Sequence, residues 1–190
     1  TLAPHQVAAL GLARTFQTSR IFKRMTVLEH LMVGQHLHQR AGLWAAIGRP
    51  AWVGREEAAV RERGLKTLAL FEDRLLPRIH ASADSLSYAN RRRLEIARAL
   101  VAEPRLLLLD EPTAGMNPHE SQGIVQLIKK IQDLGITVLL IEHDMKVIMG
   151  VSDRIVVLDH GEKIAEGLPE DIRRNEEVIQ AYMGGRRGHA

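Results

Sequence analysis

The sequence contains no cysteine, which excludes disulfides, a thiolate metal site and a cysteine nucleophile. This absence fits a reducing compartment without proving one. The apolar runs are only a few residues long, well short of the roughly 20 residues that a membrane-spanning helix needs. The formal net charge of +3 is too small to suggest a nucleic-acid partner. These absences exclude a disulfide scaffold, leave no apolar run long enough for a membrane-spanning helix, and disfavour a nucleic-acid-binding protein.

What is present is typical of a folded globular chain, with 45% hydrophobic and 26% charged residues among 190. That length is enough for one domain with a hydrophobic core and a small second lobe. There are nine histidines. No H-E-x-x-H pattern and no tight His/Cys set accompanies them, so the sequence does not favour a zinc site.

Four consecutive leucines at residues 106–109 predict a strand that is buried on both faces, as in a parallel sheet. Asp110 and Glu111 follow directly, at the carboxyl end of this strand. Ligands of open α/β sheets bind at that edge. One carboxylate there can hold a metal ion, and the other can take a proton from water. The alternative is a core strand capped by a turn, with both acids solvated.

From residue 105 onward, strand and helix patterns alternate, with further strands at 136–141 and 154–158 and a helix beginning after Asn117. Such alternation predicts βαβ units and a parallel sheet. Asp110, Glu111 and His143 then follow neighbouring strands at the same edge. Each residue alone is a weak signal, and their convergence is the reason to predict a site.

A short strand at residues 13–17 ends in Gln17. The amide of a glutamine at a strand end can hydrogen-bond a water molecule or reach a metal ion through its carbonyl oxygen. The alternative is an ordinary surface glutamine.

Residues 18–84 contain helix patterns and no strand pattern. Thr26 and Glu29 have the spacing of a capping box at the start of one helix, and a second helix is predicted over 55–71. Because the strands lie mainly after residue 105, we place a lobe boundary near Ser85.

Ser87 precedes a strong helix pattern over residues 91–102. A serine and the free backbone N–H groups of a helix start form a natural anion site. The alternative is a simple N-cap. Arg91, Arg92 and Arg93 form either a solvated face or a source of local positive potential.

The candidate residues together suggest hydrolysis of a phosphoanhydride. In this set Asp110 holds Mg²⁺, Glu111 polarises water, His143 senses a phosphate, Gln17 positions the water and Ser87 adds an anion clamp.

The order of Gln17, Leu-Ser-Tyr-Ala-Asn at 86–90, Leu-Leu-Leu-Leu-Asp-Glu-Pro at 106–112 and His143 resembles the ATP-binding cassette family. The resemblance implies an α/β P-loop NTPase fold, with a parallel-sheet core and a helical subdomain, and it implies ATP and Mg²⁺ as ligands. It also implies the following roles: Gln17 as the Q-loop glutamine near the metal, Ser87 and Ala89 in the signature motif, Asp110 as the magnesium carboxylate, Glu111 as the general base, Asn117 in the D-loop at 114–118, and His143 as the switch histidine.

The resemblance also implies a division of the chain into four parts. Residues 1–17 would be the end of the N-terminal core part and the start of the Q-loop, and residues 18–84 the helical subdomain. Residues 85–166 would carry the signature helix and the catalytic α/β core, and residues 167–190 a C-terminal extension.

Several stretches resemble the ATP-binding subunit of branched-chain amino-acid importers, among them Arg-Thr-Phe-Gln at 14–17 and Ile-Glu-His-Asp-Met at 141–145. The implied partners are a second ATP-binding subunit in a homo- or heterodimer, transmembrane permease subunits and, indirectly, a solute-binding protein. The implied location is the cytoplasmic face of the inner membrane, as a peripheral subunit. Importers of amides or urea share much of this pattern. A soluble cassette ATPase of DNA repair or translation is disfavoured by the modest charge.

Two departures from the family pattern matter. The sequence has no G-x-x-x-x-G-K-[ST] loop, so we expect the N-terminal part to be missing and this polypeptide to bind ATP poorly or not at all by itself. A non-catalytic remnant that binds partners is therefore an open alternative. In the signature, Ala89 stands for a glycine and Asn90 is one methylene shorter than glutamine, and both changes are expected to weaken the phosphate clamp.

Overall fold

The computed structural model describes residues 2–15, 21–36, 50–71 and 74–184. The chain forms two compact units, Thr1–Glu142 and His143–Ala190, and each is described by itself. None of the described helices is both long enough and apolar enough to cross a bilayer.

The first unit combines five described helices with three strands. The helices are α1 (Pro4–Ala9), α2 (Val27–Gly34), α3 (Ala51–Ala69), α4 (Tyr88–Leu100) and α5 (Pro118–Asp133), and the strands are β1 (Leu12–Arg14), β2 (Leu106–Asp110) and β3 (Thr137–Ile141). Short 3₁₀ turns at Leu76–Arg78 and Ala83–Ser85 lead into α4. The capping box of Thr26 and Glu29 at the start of α2 is confirmed.

The three strands form one parallel sheet in the order β1-β2-β3, so the predicted parallel sheet is confirmed. The central strand β2 pairs Leu108 with Arg14 on one side and with Leu139 on the other. Asp110 lies opposite Ile141 at the last pair of β2 and β3. The carboxyl ends of these two strands therefore lie side by side.

The prediction that β2 is buried on both faces was wrong for the described part of the chain. Leu107 and Leu109 are buried, but Leu106, Leu108 and Asp110 are only partly covered. On β3, Leu139 and Ile141 are 51% and 54% exposed. Because they pair in register with Leu108 and Asp110, they lie on the same face of the sheet. One face of the sheet is therefore packed in the core, and the other is open among the described residues.

Helix α4 connects the helical region with the sheet, because it packs against α2 and α3 as well as against β1 and β2. Its apolar positions Leu94, Ile96 and Ala97 are fully buried. The division between the compact units falls after Glu142. The subdomain boundary near residue 85 stays a prediction.

The second unit contains α6 (Met145–Val151), an antiparallel hairpin of β4 (Ile155–Asp159) and β5 (Glu162–Gly167), α7 (Pro169–Arg174) and α8 (Glu176–Gly184). Its small core is built on Ile155, Ile172 and Val178. The strand predicted at residues 154–158 is confirmed as β4, in an antiparallel pair with β5, whereas α6 was missed. Its seven residues are too few for a clear periodic signal.

His30 of α2 is fully buried, and its two ring nitrogens have different partners. Nε2 lies 3.0 Å from the Phe22 backbone N–H, which can only donate, and Nδ1 lies 2.8 Å from the Thr26 carbonyl oxygen, which can only accept. These partners select the neutral ring with its proton on Nδ1. Burial, the largest influence, lowers the pKa of His30. Protonation of Nε2 would place its N–H against the backbone N–H of Phe22.

We expect the fold to lose stability as the pH falls below about 6.5, the pKa of an unperturbed histidine. The unfolded chain then takes up a proton that the folded chain resists, so the stability from neutral His30 is complete above this pH and declines below it. The measurement is urea unfolding at several pH values between 7.5 and 5. His30→Gln should flatten the pH dependence, and the control His80→Gln, which changes an exposed histidine, should not. An unchanged slope in His30→Gln would contradict the account.

Candidate functional site

The predicted acids lie where β2 ends. The Asp110 carboxylate accepts a hydrogen bond from Arg14 Nη2 at 3.0 Å, and its side chain is 22% exposed. Arg14 ends the neighbouring strand β1 and is half-exposed. The Asp110 carboxylate is therefore reachable from solvent and already has a cation beside it.

The backbone of Glu111 is left-handed, with φ +44°. This conformation is uncommon for a residue other than glycine, and it persists only where the surroundings hold it. The Glu111 N–H donates to the Ile141 carbonyl at 2.9 Å, which extends the pairing of β2 and β3 by one residue. Such outliers cluster at functional sites, so this one supports a special role for Glu111.

An arginine from α4 binds the same piece of backbone. Arg92 Nη2 donates to the carbonyl oxygens of both Asp110 and Glu111, the latter at 2.9 Å. Its Nη1 pairs with the Glu95 carboxylate at 3.0 Å, and both side chains are only 4% exposed. The suggestion that Arg91, Arg92 and Arg93 form a solvated face was wrong for Arg92 and Arg93, which are buried.

The loop after β2 is tied to the end of β3. The Glu142 carboxylate accepts hydrogen bonds from both the backbone N–H and the hydroxyl of Thr113, a buried residue. Together with the Glu111–Ile141 bond, this contact holds the segment after β2 against the segment after β3.

Ser87 is the N-cap of α4, and its Oγ accepts from the Asn90 N–H at 3.4 Å. The alternative interpretation of Ser87 as a helix N-cap is therefore correct for the structure. Ser87 is also exposed, so its hydroxyl is accessible to a ligand. Ala89, by contrast, is 3% exposed, and its methyl group lies within the fold rather than on the surface of the helix start.

The start of α4 lies next to the loop that follows β2. A Cβ added at Gly115 would stand 3.6 Å from Tyr88 Cε1, so the exposed ring of Tyr88 lies over this glycine. Gly115 has φ +73°, a conformation that suits glycine. The segments predicted as signature motif and D-loop are thus neighbours within one chain.

Asn117 is the N-cap of α5. Its side-chain oxygen accepts from the Glu120 N–H at 3.0 Å, and the Glu120 carboxylate accepts from the Asn117 N–H. These two bonds form a capping box, and the helix predicted to begin after Asn117 is confirmed. A role of Asn117 in nucleotide binding stays a prediction.

Two predicted residues are not among the described residues of the first unit. Gln17 lies outside the described residues, which end at Thr15 and resume at residue 21. His143 is exposed and is the first residue of the second compact unit, directly after Glu142. The first unit therefore brings Arg92 of α4 to the backbone of Asp110 and Glu111, and it places the start of α4 beside Gly115.

The donor set at the end of β2 fits magnesium rather than a metal held entirely by protein side chains. Within the described ranges no cluster of three or more His, Cys, Asp or Glu side chains could hold a metal ion. Mg²⁺ commonly binds through one or two carboxylates, with waters and substrate phosphates as its other ligands. Asp110, which already pairs with the Arg14 guanidinium, is the carboxylate best placed to bind such an ion.

A cleft of about 600 Å³ lies elsewhere in the first unit, with lining residues from α1, β1, α2 and α4. Its lining is mainly apolar and includes Arg14, Glu95 and Arg98. Asp110 and Glu111 are not among the lining residues, so this cleft is not the predicted nucleotide position.

Sequence reasoning missed the residues that support the acids, chiefly Arg14, Arg92 and Glu142. A signal for Arg92 existed. It lies three residues before the oppositely charged Glu95 and four before the buried Ile96, which places it on the inner face of α4. No comparable signal existed for Arg14, because its nearness to Asp110 depends on the register of two strands 96 residues apart in the chain.

Comparison with known proteins agrees with this geometry. The family profile described as ABC transporter matches residues 4–114, more than half of the chain. The profile described as branched-chain amino acid ATP-binding cassette transporter matches residues 162–187.

Among individual relatives, the high-affinity branched-chain amino acid transport ATP-binding protein LivG of Salmonella typhimurium is 42% identical over 184 residues. The matched region covers 96% of this chain and 71% of LivG.

Solved structures give the same result. The ADP conformation of an ATP-binding cassette of an ABC transporter superposes with a TM-score of 0.77 at 30% identity, covering 95% of this chain and 71% of that one. A dimeric post-hydrolysis state of another ATP-binding cassette, bound to ADP and Pi, superposes with a TM-score of 0.67 at 26% identity. The match covers 88% of this chain and 68% of that one.

The predicted α/β P-loop NTPase fold is therefore confirmed, and the chain belongs to the ABC transporter family, as an ATP-binding cassette of the branched-chain amino acid type.

Proposed function

We propose that this chain is the ATP-hydrolysing subunit of an importer for the branched-chain amino acids leucine, isoleucine and valine. The observation that carries the proposal is the placement of Asp110 and Glu111 at the carboxyl end of the central strand, with their backbone bonded to β3 and α4. This is where open α/β sheets bind their ligands. The 42% identity to LivG favours branched-chain amino acids as the solute.

Each acid has a separate role in the proposed hydrolysis. When bound, Mg²⁺ neutralises charge that develops on the phosphates. Asp110 would hold this ion through the carboxylate that now pairs with Arg14. Glu111 accepts a proton from the attacking water. Gln17 helps to place the water near the metal, and His143 contacts the phosphate that is cleaved.

Ser87 acts on a nucleotide held by a second ATP-binding subunit. Its exposed hydroxyl and the free N–H groups of the α4 start form an anion site that faces outward. The dimeric relative, which is bound to ADP and Pi, supports a paired arrangement. Asn117 belongs to this proposed interface, and Ala89 would take part only through its backbone, since its methyl group is buried. Whether the partner is a second copy or a related subunit is left to experiment.

The remaining partners follow from the transport role. Residues 18–84 contact transmembrane permease subunits, and a solute-binding protein delivers the amino acid to those permeases. The chain then works as a peripheral subunit at the cytoplasmic face of the membrane. Uptake of labelled leucine by the assembled transporter tests which solute is carried. We expect isoleucine and valine, but not urea, to compete with this uptake. Competition by urea, but not by isoleucine and valine, would indicate an importer of amides or urea.

In this chain extended by an N-terminal segment that carries the G-x-x-x-x-G-K-[ST] loop, Glu111→Gln should retain ATP binding and slow ATP hydrolysis at least about a hundredfold, because it removes a general base but keeps the shape of the side chain. The measurement is steady-state phosphate release by the assembled transporter, with ATP binding followed in parallel. Glu103→Gln is a matched control, since Glu103 is an exposed glutamate that also has a left-handed backbone, with φ +52°, and lies away from the strand end. Undiminished turnover in Glu111→Gln would refute the role given to Glu111.

Ser87→Ala should weaken ATP-dependent dimerisation by about tenfold or more, because it removes a hydrogen bond to a charged phosphate. The dimer is measured by sedimentation in the slow Glu111→Gln background, where ATP persists. Ser85→Ala is the control, because the Ser85 hydroxyl donates to the Ser82 carbonyl within the same turn. Equal dimerisation in the two serine variants would argue against the clamp.

A further inference from the structure

The conformation of Glu111 is set by the two peptide groups on either side of its Cα. The group between Asp110 and Glu111 is held at both ends: its N–H donates to the Ile141 carbonyl, and its oxygen accepts from Arg92. The group between Glu111 and Pro112 has no N–H, since Pro112 is a proline. Its oxygen accepts from Arg92 Nη2 at 2.9 Å and from the Ala114 N–H at 3.2 Å.

Because peptide groups are planar, the directions of these two groups fix φ and ψ of Glu111. Arg92 donates to the oxygen atoms of both groups. One guanidinium therefore contacts both peptide groups of a left-handed residue and, together with the bonds to Ile141 and Ala114, holds a conformation that is otherwise unfavourable.

The guanidinium is itself held in place. Its Nη1 pairs with Glu95 one turn further along α4, and both side chains are almost completely buried. The planar fork of arginine lets Nη1 bond the carboxylate while Nη2 points to the strand end. Lysine has the same charge but a single nitrogen, so it cannot reproduce this arrangement.

We infer that Arg92 is a positioning residue, which aims the Glu111 carboxylate by fixing the backbone on both sides of it. The inference deepens the proposed function and rests on it, because it concerns the group proposed as general base. It also gives α4 a second role. The helix that presents Ser87 at its start holds the Glu111 backbone one turn later, so both functions depend on one rigid element.

The test uses amide hydrogen exchange on the nucleotide-free chain, read by NMR at individual residues. In Arg92→Lys the Glu111 amide should exchange on the order of tenfold faster relative to the Leu109 amide, because one charge-assisted contact to its peptide group is lost. Leu109 lies buried in the same strand and reports on the strand as a whole. Arg91→Lys is the matched control, because the Arg91 guanidinium donates to the Asp84 carbonyl instead of to β2.

A second variant covers the case in which Arg92→Lys does not fold. Arg92→Met combined with Glu95→Gln removes both charges of the pair together, so that neither Arg92 nor Glu95 is left as a buried charge without the other. This double variant should show the same increase in the exchange rate of the Glu111 amide relative to the Leu109 amide. In the assembled transporter, Arg92→Lys should lower kcat about tenfold or more and leave the KM for ATP unchanged, since a misaimed base affects the reaction rather than nucleotide binding.

The inference is supported if the Glu111 amide exchanges faster relative to the Leu109 amide and kcat falls. It is overturned if exchange at Glu111 is unchanged, if Leu109 and Glu111 accelerate equally, or if kcat is unchanged. The failure of the proposed function is seen separately, as undiminished turnover in Glu111→Gln. The exchange measurement needs no nucleotide and reports on the Arg92 contact in either case.

Discussion

The structure depends on the pairing of β2 between two parallel neighbours. This pairing buries Leu107 and Leu109 and brings the ends of β2 and β3 side by side. Neither Asp110 nor Glu111 would be placed by its own local sequence, since both follow the last apolar residue of the strand. Their positions come from hydrogen bonds to three other parts of the chain, namely β1, β3 and α4.

The buried pair of Arg92 and Glu95 is the second constraint. Burying two charges costs free energy, and a buried pair is weak evidence for stability by itself. Here the pair has a more specific consequence, because the guanidinium reaches two carbonyl oxygens that flank a left-handed residue. The contact ties the packing of α4 against the sheet to the geometry of the candidate base.

The sequence predicted the strands, the Thr26 cap and the fact that the acids follow a strand, because these depend on local patterns. The Thr26 cap, for example, depends on two residues three positions apart. What the sequence could not predict depends on contacts between distant segments. The Arg14–Asp110 pair needs the strand register, and the open face carrying Leu139 contradicts the simple rule that a leucine-rich parallel strand is covered on both sides.

The central claim is that a magnesium-bound nucleotide rests against the carboxyl end of β2. The most direct measurement is an experimental structure of the assembled transporter, with ATP and Mg²⁺ trapped by slow turnover. The account predicts that the Asp110 carboxylate contacts the ion directly or through one of its waters, and that the side chain at position 111 faces the terminal phosphate. A nucleotide bound away from both residues would contradict it.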